Sequence, residues 1–193
     1  MSLIDRFLPA LLWLLGVMTV AGITHIAAIF ALPKILMKDP YAQIAMTAKP
    51  AEFTLLPLSG SGGPAIPFAD PALVQAVCPY DLTQGALRLH ADTGGDRLLT
   101  LSFRTAEGEV FYSMTDLAAQ QGKIDVVVLT AAQLDAAEAN DDEDNPSPDL
   151  RLVAPQQKGM VVAGALALSP GERGDAEERV KSVSCLAEPI PQE

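Results

Sequence analysis

Residues 97–114 read RLLTLSFRTAEGEVFYSM, and the spacing of their apolar side chains decides the fold class. Leu99, Leu101 and Phe103 alternate with Thr100, Ser102 and Arg104, the period of a strand with one buried and one wet face. Ala106-Glu107-Gly108-Glu109 supplies turn formers, and residues 110–114 are apolar again, so the segment predicts a β-hairpin. Immediately upstream, residues 86–91 repeat the alternation, with Leu87 and Leu89 on one side and Arg88 and His90 on the other. Downstream, residues 124–129 form a continuous apolar run, the pattern of an inner strand. Thr130-Ala131-Ala132-Gln133 fits a capping box and starts a helix reaching about Ala139. Residues 150–154 and 160–168 predict two more strands around a 155–159 turn, and Asp175 opens a last helix with Val180, Val183 and Cys185 toward the sheet.

Further upstream the signals are mixed. Asp39-Pro40 starts a short helix carrying Tyr41, Ile44 and Ala45, suited to a membrane surface. Residues 52–58 predict a first strand, and residues 59–67, SGSGGPAIP, a loop rich in turn formers. Asp70-Pro71 joins an N-cap acceptor to a proline at the first helical position, predicting a helix that turns Leu73, Val74 and Val77 inward and delivers Cys78 to the core. The expected fold is α+β, a mostly antiparallel sheet with short flanking helices, preceded by one membrane helix.

That helix is read from residues 7–32, FLPALLWLLGVMTVAGITHIAAIFAL, which hold no charge. As an α-helix the run extends roughly 39 Å, against a hydrocarbon core of about 30 Å. A cleaved signal peptide is the competing reading, but its apolar region is usually about 7–15 residues and ends at a small-x-small site. Here the run passes into Leu32-Pro33-Lys34, where Pro33 is expected to end the helix. Arg6 lies before the span and Lys34 and Lys38 after it, so the flanks do not orient it. Apart from Asp5 and Arg6, all of the 24 acidic and 13 basic residues follow the span. This acidic segment holds the only two cysteines, Cys78 and Cys185. One pair of cysteines outside the cytoplasm reads as a single disulfide; two buried free thiols remain the alternative. A bond would close a loop of 107 residues. The predicted boundaries are a cytoplasmic terminus (1–6), the span (7–32), a juxtamembrane linker (33–67), a periplasmic α+β domain (68–187) and a tail (188–193).

Few residues carry chemistry. His25 lies within the span, where an ionisable side chain is costly and points to function. Ala21 sits one turn earlier, and A-x-x-x-H resembles the spacing of antenna polypeptides, which implies tetrapyrrole ligation. The competing reading has neutral His25 contacting a neighbouring helix, with Gly16 and Gly22 permitting close approach. His90 has no second imidazole near it in the soluble domain, so no zinc site is expected, and there is no G-x-S-x-G elbow. Gly94-Gly95-Asp96 lacks the lysine of a phosphate loop. The insert 141–149, DDEDNPSPD, lacks the glycine of a calcium loop and reads as a solvated breaker. The acidic balance opposes nucleic-acid binding. Asp81, Arg104, Tyr112 and Asp116, near strand ends, are the candidate lining of a polar pocket, or else caps of turns.

Gly22-Ile23-Thr24-His25, Cys78-Pro79-Tyr80-Asp81-Leu82, Gly108-Glu109-Val110-Phe111-Tyr112 and the late Cys185 together resemble the small single-span inner-membrane proteins of alphaproteobacteria classed as a domain of unknown function. The resemblance covers nearly the whole chain. It implies that Cys78 and Cys185 belong together, that His25 is a family feature, and that larger relatives carry an α+β module beside a jelly-roll module. It brings no activity. Pro79, where a basic residue is expected, and the acidic insert depart from the pattern. The expectation is a non-catalytic, single-pass protein of the bacterial inner membrane, partnered by the bilayer and by other membrane proteins through the span. The alternative is a periplasmic enzyme or small-ligand-binding module.

Overall fold

In a computed structural model the chain forms two units, Met1–Lys38 and Asp39–Glu193. The structure describes residues 3–36, 40–57, 70, 72–83, 85–93, 98–139 and 149–189. The 59–67 loop, Pro71, Gly94-Gly95-Asp96, the insert as far as Pro148 and the end of the tail lie outside them.

The first unit is one helix, α1 (Leu3–Leu36). Its stretch Leu8–Leu32 is long and apolar enough to cross a membrane, with a mean hydropathy of 2.0 and every residue exposed. Pro33 does not end the helix as expected; it sits inside the last turn. Proline deprives the ladder of one N–H, and a helix in an apolar setting keeps its remaining bonds because it has no water to replace them. The hydroxyls of Thr19 and Thr24 each donate to the carbonyl four residues back, Leu15 and Val20, at 2.9 Å. Neither is left bare on the apolar surface.

The second unit runs α2 (Pro40–Ala45), β1 (Thr54–Leu55), β2 (Leu73–Asp81), β3 (Ala86–Asp92), β4 (Leu99–Thr105), β5 (Val110–Thr115), β6 (Lys123–Leu129), α3 (Ala131–Ala139), β7 (Leu150–Val153), β8 (Lys158–Leu166), α4 (Arg173–Ser182) and β9 (Ser184–Glu188). The α+β class holds, but the strands divide between two sheets, in the orders β1-β2-β8-β4-β5 and β7-β6-β3-β9. Every ladder is antiparallel except β6 with β7, which are joined through the crossover helix α3. At the start of α3 the capping box is complete: the Gln133 N–H donates to Thr130 Oγ1 at 3.3 Å, and the Thr130 N–H to Gln133 Oε1 at 2.8 Å.

The two sheets share one core. Val74, Ala76, Cys78 and Tyr80 of β2, Leu99, Leu101 and Phe103 of β4, and Val161, Ala163 and Ala165 of β8 meet Leu87 and Leu89 of β3 and Ile124, Val126 and Val128 of β6. Burying each Leu or Phe here stabilises the fold by about 1.5–3 kcal/mol. Ala176 and Val180 of α4 join the same cluster. The disulfide crosses it: Cys78 on β2 is bonded to Cys185 on β9, with Cα atoms 6.7 Å apart, so the cross-link ties one sheet to the other.

Four expectations change. Residues 73–78 are strand, not helix. The strand signal was hidden because both faces of β2 are covered, the inner by the core and the outer at Val77 by Tyr41 and Ile44 of α2 with Ala48, Leu56 and Met160. For the same reason α2 packs on the sheet rather than lying on a bilayer. Residues 52–58 yield only the two-residue β1. Cys185 belongs to β9, not to the last helix, which ends at Ser182. Pro79 fits inside β2 because β1 pairs only with Ala76 and Val77, leaving that part of β2 as an edge.

Candidate functional site

The cross-strand register decides which polar residues share a surface. On the larger sheet, Asp81 lies opposite Lys158, and Arg104 opposite Met160 on the outer face. Tyr112 is opposite Phe103, whose ring lies 6.0 Å away, so it belongs to the inner side. The register between β4 and β5 shifts beside Phe103: Tyr112 pairs with Phe103 and Val110 with Arg104, leaving Phe111 as the extra residue of a bulge. Phe111 also reaches Phe103, at 6.3 Å. Asp116 follows the far end of β5, where Thr115 pairs with Thr100. The four candidate pocket residues therefore lie on two faces and at both ends of the sheet, and the described residues do not bring them together.

Asp81 and Arg104 have local partners. Burial alone would raise the Asp81 carboxyl; hydrogen bonds from the Thr83 side chain and backbone, and then Lys158, outweigh it and hold the group below its ordinary value. The Thr83 N–H donates to Asp81 Oδ1 at 3.0 Å, and Lys158 Nζ lies 3.3 Å from Oδ2. Arg104 Nε donates to Ser102 Oγ at 3.3 Å. Asp116 keeps a buried Oδ1 with no partner among the described residues. Tyr80 sits beneath Gly159, and burial pushes its phenol up.

The densest polar cluster is on the outer face of the smaller sheet, where alternation had placed Arg88 and His90. Arg88 donates to Glu188 Oε2 at 2.7 Å and to Asp149 Oδ2 at 2.6 Å, and these two bonds hold its guanidinium above its usual value. Asp149, the last residue of the insert expected to be solvated, is thereby held against the sheet. His90 Nδ1 lies 2.6 Å from Asp125 Oδ1, and Nε2 lies 3.7 Å from Asp92 Oδ1. Ser184, His90 and Asp125 form a cross-strand row, the residue types of a nucleophilic triad. The geometry is different. Ser184 Oγ donates to the His90 carbonyl at 3.3 Å, and Nε2 faces a carboxylate, so no hydroxyl is set for deprotonation. Sequence alternation gave the face; finding Asp125 and Ser184 beside His90 needed the register of three strands.

On α1, His25 and Gly22 are exposed on the helix surface. Ala21 lines a shallow groove with Pro9, Leu12, Trp13, Gly16, Val17 and Val20, in which His25 takes no part. Among the described residues, no three His, Cys, Asp or Glu side chains are grouped to hold a metal ion.

No protein-family model matches the chain, and no curated protein matches it. The sandwich is similar to the crystal structure of the VPA0106 protein from Vibrio parahaemolyticus, with a TM-score of 0.54 at 8% identity. That match covers 79% of this chain and 38% of the other, so the chain spans well under half the length of its structural relative. An uncharacterized protein from Burkholderia cenocepacia is similar at a TM-score of 0.44 and 14% identity over 70% of this chain and 35% of that one. The first likeness shows the fold alone.

Proposed function

We propose that this chain is a membrane-anchored accessory protein of the bacterial inner membrane, with a cytoplasmic N-terminus and a periplasmic sandwich, of the single-span alphaproteobacterial group it resembles. Its span packs on a larger membrane complex. The observation that carries this reading is the helix stretch Leu8–Leu32, uncharged, strongly apolar and exposed at every residue. A lone anchor needs only hydrophobicity, whereas this one also carries an ionisable His25 and an indentation at Gly16. An imidazole facing lipid is costly, and a neighbouring helix offering a hydrogen-bond acceptor removes that cost. The disulfide supports an oxidising compartment for the sandwich. The dispersal of Asp81, Arg104, Tyr112 and Asp116 weighs against the enzyme or ligand-binding alternative.

Extraction in mild detergent followed by native electrophoresis tests the proposal. The protein is expected in a species much larger than its own monomer or dimer; migration solely as a free monomer or homodimer contradicts it. A tetrapyrrole at His25 would show as visible absorbance in the same preparation.

A further inference from the structure

The two sheets end in four edge strands, and three of these are blunted. β1 has two residues, β7 has four with Arg151 among them, and β9 closes on Glu188 and Pro189. Short length, charge and proline are devices by which natural sheets keep foreign strands from adding on. β5 has none of them. It runs for six residues, Val110–Thr115, as VFYSMT, without a charge or a proline and rich in residues that favour extended backbone.

The edge is open where the strand is most regular. Among the described residues β5 pairs with β4 alone, and past the bulge at Phe111 the pairs Phe103–Tyr112, Ser102–Ser113, Leu101–Met114 and Thr100–Thr115 follow without a break. Alternate pairs of an antiparallel ladder exchange the backbone bonds. The Leu166 N–H donates to the Leu98 carbonyl at 3.3 Å, and the register sets these two residues opposite each other, so Thr100 and Ser102 bond β8. Leu101 and Phe103 then bond Met114 and Tyr112, which leaves the N–H and C=O of Ser113 and the N–H of Thr115 pointing away from the sheet. Side chains there are accessible too: Val110 is 52% exposed, Tyr112 38%, and Ser113 is exposed. Tyr112 stands beside the core residue Phe103, so an apolar side chain of an added strand would lengthen the buried row outward.

We infer that β5 receives a strand of a partner protein, uncharged and alternately apolar along its middle, with a lysine or arginine opposite the exposed Glu109. The inference rests on the accessory reading and adds a contact of the sandwich to that of the span, without replacing it. A second copy of the chain fits the edge less well. Glu109 precedes β5 and Asp116 follows it, so an antiparallel copy would set these like charges against each other at both ends. Charges of one sign directly opposite destabilise a ladder. Arg104 and Lys123, the cations nearest in sequence, belong to β4 and β6 and lie outside that row.

The test uses the full chain in phosphatidylcholine nanodiscs, with empty discs subtracted, and three labelled peptides of alternating Val and Thr. One is ended by lysines, one by glutamates, and one has lysine ends and a central proline. The lysine-ended peptide is expected to bind and to slow amide hydrogen exchange across residues 110–115. Its affinity should fall about tenfold in Ser113→Pro, which removes an outward N–H and no bond to β4, and about tenfold in Ser113→Lys, as loss of a backbone bond gives. A formed disulfide and unchanged circular dichroism in the β region show that each variant is folded. Glu109→Lys should turn the preference to the glutamate-ended peptide, whereas Glu138→Lys on α3 should not. Equal binding of the proline peptide, or unchanged affinity in the folded Ser113 variants, overturns the inference. So does protection of residues 110–115 that needs only two chains in one disc, which would assign the edge to a second copy. Native electrophoresis in mild detergent separates the two claims. If wild type runs in the large species and no peptide protects residues 110–115, the accessory reading stands and the docking edge falls. If wild type runs alone, the accessory reading falls and the peptide result judges the edge by itself.

Discussion

Leucine is used in opposite ways in α1 and in β4. Along Leu8–Leu32 of α1 the apolar residues recur on every side, interrupted only by Thr19, Thr24 and His25, and Trp13, Ile23 and Phe30 all remain exposed. In β4 the same residue class recurs every second position, and Leu99, Leu101 and Phe103 vanish into the core while Thr100, Ser102 and Arg104 stay outside. Hydrophobicity alone does not separate the two; period does. A run without a wet side can be satisfied only by an apolar solvent or by another protein, whereas a run of period two satisfies itself by folding against a second sheet. The sandwich is thus self-sufficient, and the span is not.

Experiments that remove the sandwich's own cross-links sharpen this contrast, and the largest effect belongs to the disulfide. Cys78→Ser is expected to lower the unfolding free energy by about 4–5 kcal/mol, the loop-closure cost for a ring of this size. Urea unfolding followed by Trp-independent circular dichroism in the β region measures it, and loss of the non-reducing mobility shift confirms that the bond is absent. The helix signal of α1 should be unchanged.

Gly159→Ala comes next. A Cβ there would collide with the Arg104 carbonyl oxygen, which belongs to the neighbouring strand and cannot turn away. A loss of about 1–3 kcal/mol is expected, the usual cost of overpacking a core. A thermal midpoint equal to wild type would show that the sheet gives way more easily than this geometry allows.

Asp81→Asn is the smallest. The Asp81–Lys158 pair is partly exposed, so the substitution should cost no more than about 1 kcal/mol. The folded-state carboxyl is held below its unfolded value, so its contribution is present above the unfolded pKa and is lost as pH falls through the folded one. The variant should therefore lose a little stability near neutrality and match wild type in acid; an equal deficit at both pH values would assign the loss to something other than charge.

How far the sequence was legible follows the range of the interactions. Thr130 and Gln133 lie three residues apart, and their capping box was readable because each satisfies the other locally. The alternation of β3 and β4 was readable because one side of each strand is wet. Residues 73–78 were misread because Asp70-Pro71 is a sound local helix start and because α2, thirty residues earlier in the chain, covers the face that would otherwise have been polar. The spread of the polar set was not legible, because lying near strand ends does not say which face or which end of the sheet a residue takes; the register puts Tyr112 opposite Phe103 and Thr115, beside Asp116, opposite Thr100. Cysteine number gave the pair Cys78 and Cys185, but that the bond joins two sheets depends on β9 lying in the second of them.

Exchanging residues 8–32 for a plain leucine span of equal length tests most directly the claim that the span, rather than the sandwich, secures the protein to its complex. The exchanged chain is predicted to remain in the membrane with its disulfide formed and yet to leave the large species on native electrophoresis. Retention of the exchanged chain in that species would contradict the account.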